Sequence, residues 1–167
     1  MTLLARQLTE PGPAGTEANT AAVATARRRQ TVLVSGLASD SHTWNLVFMQ
    51  LLIEEQGYDV VNLGPCVPDE LLVQECLERT PAMLVLSSVN GHGAQDGLRV
   101  IRKLRDEPGL AELPAVIGGK LGISGGEGAG RVAELVAAGF DSVFEDGAQE
   151  IAAFQRFIGG IPQRALS

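Results

Sequence analysis

Residues 31–45 read TVLVSGLASDSHTWN, and this stretch sets the architecture of the chain. Its first part, residues 31–37, is short, β-branched and apolar, which is typical of a strand buried on both faces of a parallel sheet. Its second part places Asp40 and His42 between that strand and a run with helical spacing. A histidine with a nearby carboxylate at the end of a strand is a candidate metal ligand or acid/base group.

The same strand-then-helix pattern recurs along the chain. The predicted strands are residues 31–37, 58–63, 82–87, 114–117 and 141–144, and the predicted helices are residues 44–56, 67–78, 98–105, 129–138 and 149–157. Five short apolar strands alternating with five helices predict one α/β domain. We expect a flavodoxin-like (Rossmann-like), doubly wound five-stranded parallel sheet with the strand order 2-1-3-4-5.

The predicted domain spans residues 30–160. Residues 1–29 are rich in Ala, Thr, Gly and Pro without a strand or helix period, and we interpret them as a disordered N-terminal tail. We expect residues 161–167 to be a short C-terminal tail.

Composition excludes several classes of protein. The formal net charge of −7 argues against nucleic-acid binding, which needs a basic face. No apolar run approaches 18 residues and the N-terminus lacks a signal-peptide pattern, so we expect a cytoplasmic protein without a membrane span. Cys66 and Cys76 lack a paired metal-binding spacing and are expected to be free thiols.

Three loops are expected to converge on one crevice. In the order 2-1-3-4-5, the switch point lies between strands one and three at their carboxyl ends. Residues 39–45 leave strand one there, residues 87–90 leave strand three, and the glycine-rich loop at residues 118–128 leaves strand four beside them. This convergence predicts the functional site.

Other chemistries fit the residues less well. The glycines have neither Walker nor dinucleotide-binding spacing. A receiver domain would need an aspartate at the end of strand three, where the chain has Ser87 and Ser88. A zinc site assembled from His42, His92 and an aspartate lacks a ligand-spacing pattern. A simple helix-capping role for Asp40 also stays open.

The chain resembles the cobalamin-binding domain family. That family carries Asp-x-His-x-x-Gly, then Ser-x-Leu, then Gly-Gly, and this chain has residues 40–45, 87–89 and 118–119 at those places. The intervals also match, with 41 residues between Asn45 and Ser87 and 28 between Val89 and Gly118. Within that family, residues 39–42, 59–64, 87–93 and 118–119 are most similar to the small subunit (S chain) of glutamate mutase, also called methylaspartate mutase.

The resemblance implies roles for individual residues. His42 would be the lower axial ligand of cobalt, displacing the cofactor's own dimethylbenzimidazole, and Asp40 would bond the other ring nitrogen of His42. Ser87 would bond the displaced nucleotide tail between strands one and three, and Gly118 and Gly119 would leave room for it. The implied cofactor-binding residues are Ser39, Asp40, Ser41, His42, Thr43, Ser87, Ser88, Val89, Gly118, Gly119, Lys120, Leu121 and Gly122.

Two positions depart from the family pattern. Asn45 stands where the pattern has glycine, and Val89 stands where it has leucine. Asparagine tolerates left-handed backbone better than most residues. Trp44 is interpreted either as a residue at the corrin edge or partner interface, or as a core residue of the helix. His92 is interpreted as facing solvent or the corrin edge rather than as a second ligand.

The resemblance also implies a function. The chain would be the cobalamin-binding small subunit of an adenosylcobalamin-dependent carbon-skeleton mutase, an isomerase that converts L-glutamate to threo-3-methylaspartate. A separate large catalytic subunit would complete a heterotetramer and would bind the small amino-acid substrate. The alternatives are a stand-alone corrinoid carrier for methyl transfer and a non-enzymatic cobalamin-binding sensor module.

Overall fold

The computed structural model describes residues 29–122 and 128–162. The predictions made for residues 1–28, 123–127 and 163–167 therefore lie outside the described residues. The strands are β1 (Thr31–Gly36), β2 (Asp59–Asn62), β3 (Met83–Ser88), β4 (Ala115–Gly119) and β5 (Ser142–Glu145). The helices are α1 (Trp44–Glu55), α2 (Asp69–Arg79), α3 (Gly93–Asp106), α4 (Gly128–Ala138) and α5 (Ala148–Gly159), with a 3₁₀ turn at Pro108–Leu110.

The five strands form one parallel sheet in the order β2-β1-β3-β4-β5. This order confirms the predicted flavodoxin-like, doubly wound fold. The register places Gly36 of β1, Ser87 of β3, Gly118 of β4 and Phe144 of β5 on one rung. The carboxyl ends of β1, β3 and β4 therefore meet at the same edge of the sheet.

Helices cover both faces of the sheet. Helices α2, α3 and α4 pack over one face, where Leu33, Leu84 and Ile117 point into the larger core cluster. Helices α1 and α5 pack over the other face, where Val34 and Val85 point into a second cluster. Alternation of side chains along β3 sends Met83 and Val85 to one face and Leu84 and Leu86 to the other, as expected for a doubly covered strand.

The third helix begins five residues earlier than predicted. Residues 90–97 were expected to be a glycine-broken loop, but α3 starts at Gly93. Two glycines in its first turns, Gly93 and Gly97, allow the helix to pack closely against Leu121 and against Ile117 of β4. A Cβ on Gly93 would lie 2.6 Å from Leu121 Cδ2, and a Cβ on Gly97 would lie 2.6 Å from Ile117 Cδ1. The glycines that looked like helix breakers thus allow close tertiary packing of α3.

The fourth strand also extends further than predicted. Gly118 and Gly119 were assigned to the loop after strand four, but they pair with Ser87 and Ser88 as the last residues of β4. The other element ends differ from prediction by one or two residues, the usual uncertainty of helix and strand boundaries. Within residues 29–122 and 128–162, every helix is too short or too polar to span a bilayer.

Candidate functional site

Asp40 connects the loop after β1 to the end of β3. Its side chain is only 1% exposed. Oδ1 lies 2.6 Å from Nδ1 of His42 and accepts the His42 backbone N–H at 3.0 Å. Oδ2 accepts the Ser88 hydroxyl at 2.9 Å and the Val89 backbone N–H at 2.6 Å. Both carboxylate oxygens are therefore fully used, and none of these bonds caps α1.

These hydrogen bonds keep Asp40 ionised. Burial by itself would raise the pKa of Asp40, but the backbone N–H groups of His42 and Val89 and the side chains of His42 and Ser88 all donate to the charged form. Their sum outweighs burial and lowers the pKa of Asp40 from 3.8 to about 2. The carboxylate beside His42 is consequently a fixed negative charge at neutral pH.

The position of His42 presents one ring nitrogen outward. A carboxylate accepts hydrogen bonds, so the contact with Asp40 assigns the imidazole proton to Nδ1 and leaves a lone pair on Nε2. No residue among those the structure describes hydrogen-bonds to Nε2, and the His42 side chain is 57% exposed. Such an oriented, carboxylate-backed imidazole is the arrangement that metal-ligating histidines use.

A second network holds the start of this loop. Asn90 donates from Nδ2 to the carbonyl of Ser39 at 2.9 Å and to its hydroxyl at 3.0 Å. The Ser39 hydroxyl donates to Asp96 of α3. Arg99 donates one hydrogen bond to Asp96 at 2.6 Å. It donates two more, at 2.6 and 3.1 Å, to the carboxylate of Asp69 in α2. The loop is thereby tied to two helices.

An apolar cavity of about 130 Å³ opens beside this loop. Its described lining residues come from α1, from the ends of β3, β4 and β5, and from α5, and none comes from β1. Phe48, Val116, Phe144 and Phe154 supply much of the apolar wall. The crevice was expected between strands one and three, but α1 packs over β1, so the cavity lies further along the sheet.

Asn45 and Ser87 meet at this cavity. Nδ2 of Asn45 donates to the Ser87 hydroxyl oxygen at 2.8 Å, and both residues line the cavity wall. Asn45 belongs to the first turn of α1, so its place in the motif does not require the left-handed backbone that asparagine tolerates. Sequence reasoning missed this bond, since nothing local to either residue indicates it.

The glycine pair serves the protein's own packing. Gly119 has φ of +103°, and a Cβ there would lie 2.2 Å from the carbonyl oxygen of Ser88. A Cβ on Gly118 would lie 2.9 Å from the carbonyl oxygen of Phe144. Both glycines line the cavity, but a side chain would strike neighbouring strands first. The close approach of β3, β4 and β5 is therefore one reason for glycine at both positions, and room for a ligand stays a prediction.

The remaining predicted site residues lie at the same sheet edge. Ser41 and Thr43 are exposed on the loop before α1, and Thr43 makes no side-chain cap for that helix. Lys120 and Gly122 line an open groove of about 600 Å³ next to Val89 and Asp146. The side chain of Leu121 is 2% exposed and belongs to the core.

Glu145 and Asp146 line both the cavity and the groove. From the sequence we expect residues 145–147 to start the last helix, with a contact to the nucleotide tail as the lesser alternative. Their position at the end of β5 indicates that they lie near the site, because the carboxyl ends of all parallel strands are at the same edge of the sheet.

Trp44 and His92 lie on the surface near the loop. Trp44 is 84% exposed, so the interpretation of Trp44 as a core residue of the helix is wrong. With Val47, Phe48 and Leu51 it gives α1 an exposed apolar face. His92 is exposed at the start of α3 and donates its backbone N–H to Asn90. Within the described ranges, no group of three or more His, Cys, Asp or Glu side chains could hold a metal ion.

Comparison with known proteins identifies the relatives of this chain. The glutamate mutase sigma subunit of Treponema denticola is 30% identical over 121 residues, covering 71% of this chain and 86% of that protein. This chain belongs to the glutamate mutase sigma subunit family. The sigma subunit of Fusobacterium nucleatum is 29% identical over 119 residues, covering 71% of this chain and 87% of that protein. The family suggested by residues 40–45, 87–89 and 118–119 is thus confirmed, although no family model matches the chain.

A solved structure supports the fold independently. A cobalamin-binding protein from Desulfitobacterium hafniense superposes with a TM-score of 0.62 at 20% identity. The match covers 84% of this chain and 65% of that protein, slightly less than two thirds of its length. At this identity the likeness shows that this chain and that protein share a fold, and nothing finer.

Proposed function

We propose that this chain is the cobalamin-binding small subunit of an adenosylcobalamin-dependent carbon-skeleton mutase. It would act with a separate large catalytic subunit, and the reaction that its family's name suggests is the conversion of L-glutamate to threo-3-methylaspartate. The observation that carries the proposal is the His42 imidazole, held by a buried carboxylate at Nδ1 and open at Nε2.

The residues present fit the lower side of a corrinoid. His42 supplies a neutral nitrogen lone pair for cobalt, and Asp40 fixes the tautomer and makes that nitrogen more basic. Ser88 and the Val89 N–H keep Asp40 charged and in place. When bound, adenosylcobalamin supplies radical chemistry through homolysis of its cobalt–carbon bond.

The cavity fits the nucleotide tail of such a cofactor. It is largely apolar, as a nucleotide base requires, and it carries the hydroxyl of Ser87 as a polar contact. Its wall includes Asn45, which follows His42 by three residues and lies in the first turn of α1. Ser39, Ser41, Thr43, Lys120 and Gly122 border the same edge and would contact the corrin ring or its side chains.

The large subunit would cover the opposite side of the cofactor. In this proposal, His42 and the residues that line the cavity all lie on the lower side of the cofactor. The small amino-acid substrate would therefore be bound mainly by the partner, within a heterotetramer. We propose that the complex acts in the cytoplasm.

A spectroscopic experiment tests cofactor binding. Purified protein is mixed with adenosylcobalamin, and the visible spectrum is recorded for wild type, His42→Ala and His92→Ala. We expect a histidine-ligated spectrum for wild type and for His92→Ala, and its loss in His42→Ala. Absence of binding by wild type, even with candidate large subunits present, would show that the proposal is wrong.

A product assay tests the reaction. With a paired large subunit, wild type should form methylaspartate from L-glutamate, and His42→Ala should not. A product that depends on methylcobalamin instead would favour a corrinoid carrier for methyl transfer. Cobalamin binding without either product would favour a sensor module.

A further inference from the structure

The hydrogen bond between Asn45 and Ser87 has a defined direction. The amide nitrogen of Asn45 donates, and the hydroxyl oxygen of Ser87 accepts at 2.8 Å. Within residues 29–122 and 128–162, no acceptor receives the Ser87 hydroxyl proton. Ser87 therefore keeps an unused O–H donor at the wall of an apolar cavity, although the residue itself is only 5% exposed.

No side chain flanks the Ser87 hydroxyl on the neighbouring strands. The rung neighbours of Ser87 are Gly36 on β1 and Gly118 on β4, and neither has a side chain. The surrounding wall is mainly apolar, and its acceptors are the carboxylates of Glu145, Asp146 and Glu150 and the buried Oδ1 of Asn45, which has no hydrogen-bond partner among the described residues. A hydroxyl that already accepts a hydrogen bond is a stronger donor, because bonds in a chain polarise one another.

We propose that Asn45 is a positioning residue that turns the Ser87 hydroxyl proton toward an acceptor atom of the ligand in this cavity. The inference rests on the proposed function. The acceptor would be an unprotonated nitrogen of an aromatic base, or a sugar or phosphate oxygen, on the nucleotide tail of the corrinoid. Asn45 would thus replace the motif glycine with a group that strengthens binding of the tail.

Asparagine is suited to this role and aspartate is not. The amide of Asn45 donates to Ser87, so the Ser87 proton is free for a ligand. A carboxylate at the same place can only accept, so it would draw the Ser87 proton to itself. Aspartate is nearly the same size as asparagine. A comparison of wild type with Asn45→Asp therefore tests the direction of the hydrogen bond without changing the volume of the side chain.

The test compares two corrinoids that differ only below the ring. Adenosylcobalamin carries the nucleotide tail and adenosylcobinamide lacks it. Dissociation constants for both are measured with wild type, Asn45→Asp, Ser87→Ala, the double variant and Asn45→Gly. Circular dichroism and thermal unfolding establish that each variant is folded.

We expect Asn45→Asp and Ser87→Ala each to weaken adenosylcobalamin binding about tenfold, the factor that corresponds to about 1.4 kcal/mol. Adenosylcobinamide binding should change less than about twofold. The double variant should be no weaker than Ser87→Ala alone, since both changes remove the same contact. Asn45→Gly should weaken binding of the tailed corrinoid by about threefold.

Three outcomes would overturn the inference. Asn45→Asp could bind adenosylcobalamin as wild type does, the two single variants could add fully in the double variant, or Asn45→Gly could bind the tailed corrinoid more tightly. The last result would make Asn45 a steric obstacle instead. In all three cases wild type still binds both corrinoids, whereas failure of the proposed function would appear as no binding of either corrinoid to wild type.

Discussion

Asp40 Oδ1 lies 2.6 Å from Nδ1 of His42, while the other carboxylate oxygen is bonded to the end of β3. One buried side chain therefore orients the imidazole and fastens the loop that carries it to a neighbouring strand. Because these two tasks share one carboxylate, changes at Asp40 should affect both stability and the position of His42.

Replacement of Asp40 by asparagine should destabilise the fold in a pH-dependent way. The pKa of Asp40 falls from 3.8 to about 2 on folding, so ionised Asp40 stabilises the native state at pH values above its unfolded pKa. That shift corresponds to about 2 kcal/mol. We expect Asp40→Asn to lose about this much at pH 7 in urea unfolding followed by far-ultraviolet circular dichroism.

The same experiment at lower pH provides the control for Asp40. The stabilisation should disappear as the pH falls from about 4 through about 2, because wild-type Asp40 then becomes protonated. Wild type and Asp40→Asn should converge over that window. A difference in unfolding free energy that stays constant from pH 7 to pH 2 would contradict the assignment of the effect to the charge.

Adjacent serines should behave differently when replaced by alanine. Ser88 donates to Asp40 at 2.9 Å, whereas Ser87 points to the opposite face and bonds Asn45. Ser88→Ala should raise the pKa of Asp40, because it removes a donor to the carboxylate, and should cost about 1–2 kcal/mol of stability. Ser87→Ala should leave the pKa of Asp40 unchanged. NMR titration of the Asp40 carboxyl carbon measures this pKa in both variants.

Gly119 should not tolerate alanine. Its φ of +103° disfavours any L side chain, and a Cβ would lie 2.2 Å from the Ser88 carbonyl oxygen. We expect Gly119→Ala to lower the free energy of unfolding by about 3 kcal/mol. Gly130→Ala is the matched control, since Gly130 lies in α4 with open space at the Cβ position, and it should stabilise the protein by about 0.5–1 kcal/mol.

Arg99 should matter far more than an ordinary surface arginine. It neutralises Asp69 and Asp96, which are 5% and 7% exposed, and Arg99→Leu would leave those carboxylates with fewer partners. We expect a loss of about 2 kcal/mol at pH 7, moderated by Lys103, which lies 3.3 Å from Asp69. Arg79→Leu, which removes only the pair with Glu75 on the surface of α2, should cost about 0.5 kcal/mol.

The Arg99 effect should also depend on pH. Burial would raise the pKa of Asp69, but its bonds to Arg99 and Lys103 outweigh burial and lower it. The contribution of this ion pair is therefore present above the unfolded pKa of the carboxyl and is lost as the pH falls through the lower folded pKa. An Arg99→Leu penalty that grows on acidification would be inconsistent with the ion pair as its source.

The fold was largely predictable from the sequence because its strands are short, apolar and regularly spaced. Runs such as residues 31–37 and 82–87 are typical of strands in a doubly covered parallel sheet when helical segments alternate with them, and right-handed connections leave few strand orders. The switch-point rule then brought Asp40, His42 and Ser88 to one edge without any knowledge of side-chain contacts.

What the sequence could not reveal depends on long-range packing. The start of α3 was missed because Gly93 and Gly97 resemble helix breakers until the partners Leu121 and Ile117 are known. The bond from Asn45 to Ser87 spans 42 residues, and the pair between Arg99 and Asp69 spans 30. No local pattern connects such residues, and the location of the cavity depends on how α1 lies over β1.

The two serines that end β3 have the same chemistry and opposite assignments. A one-residue shift of this strand in one direction would place Ser88 at the cavity and Val89 beside Asp40. A shift in the other direction would place Ser87 beside Asp40 and Leu86 at the cavity. Either shift would keep one of the two hydroxyl contacts and lose the other. Because both faces of β3 are otherwise apolar, the alternation of polar and apolar residues does little to fix this register. The shapes of the four buried residues at 83–86 therefore help to decide which serine reaches Asp40 and which reaches the cavity.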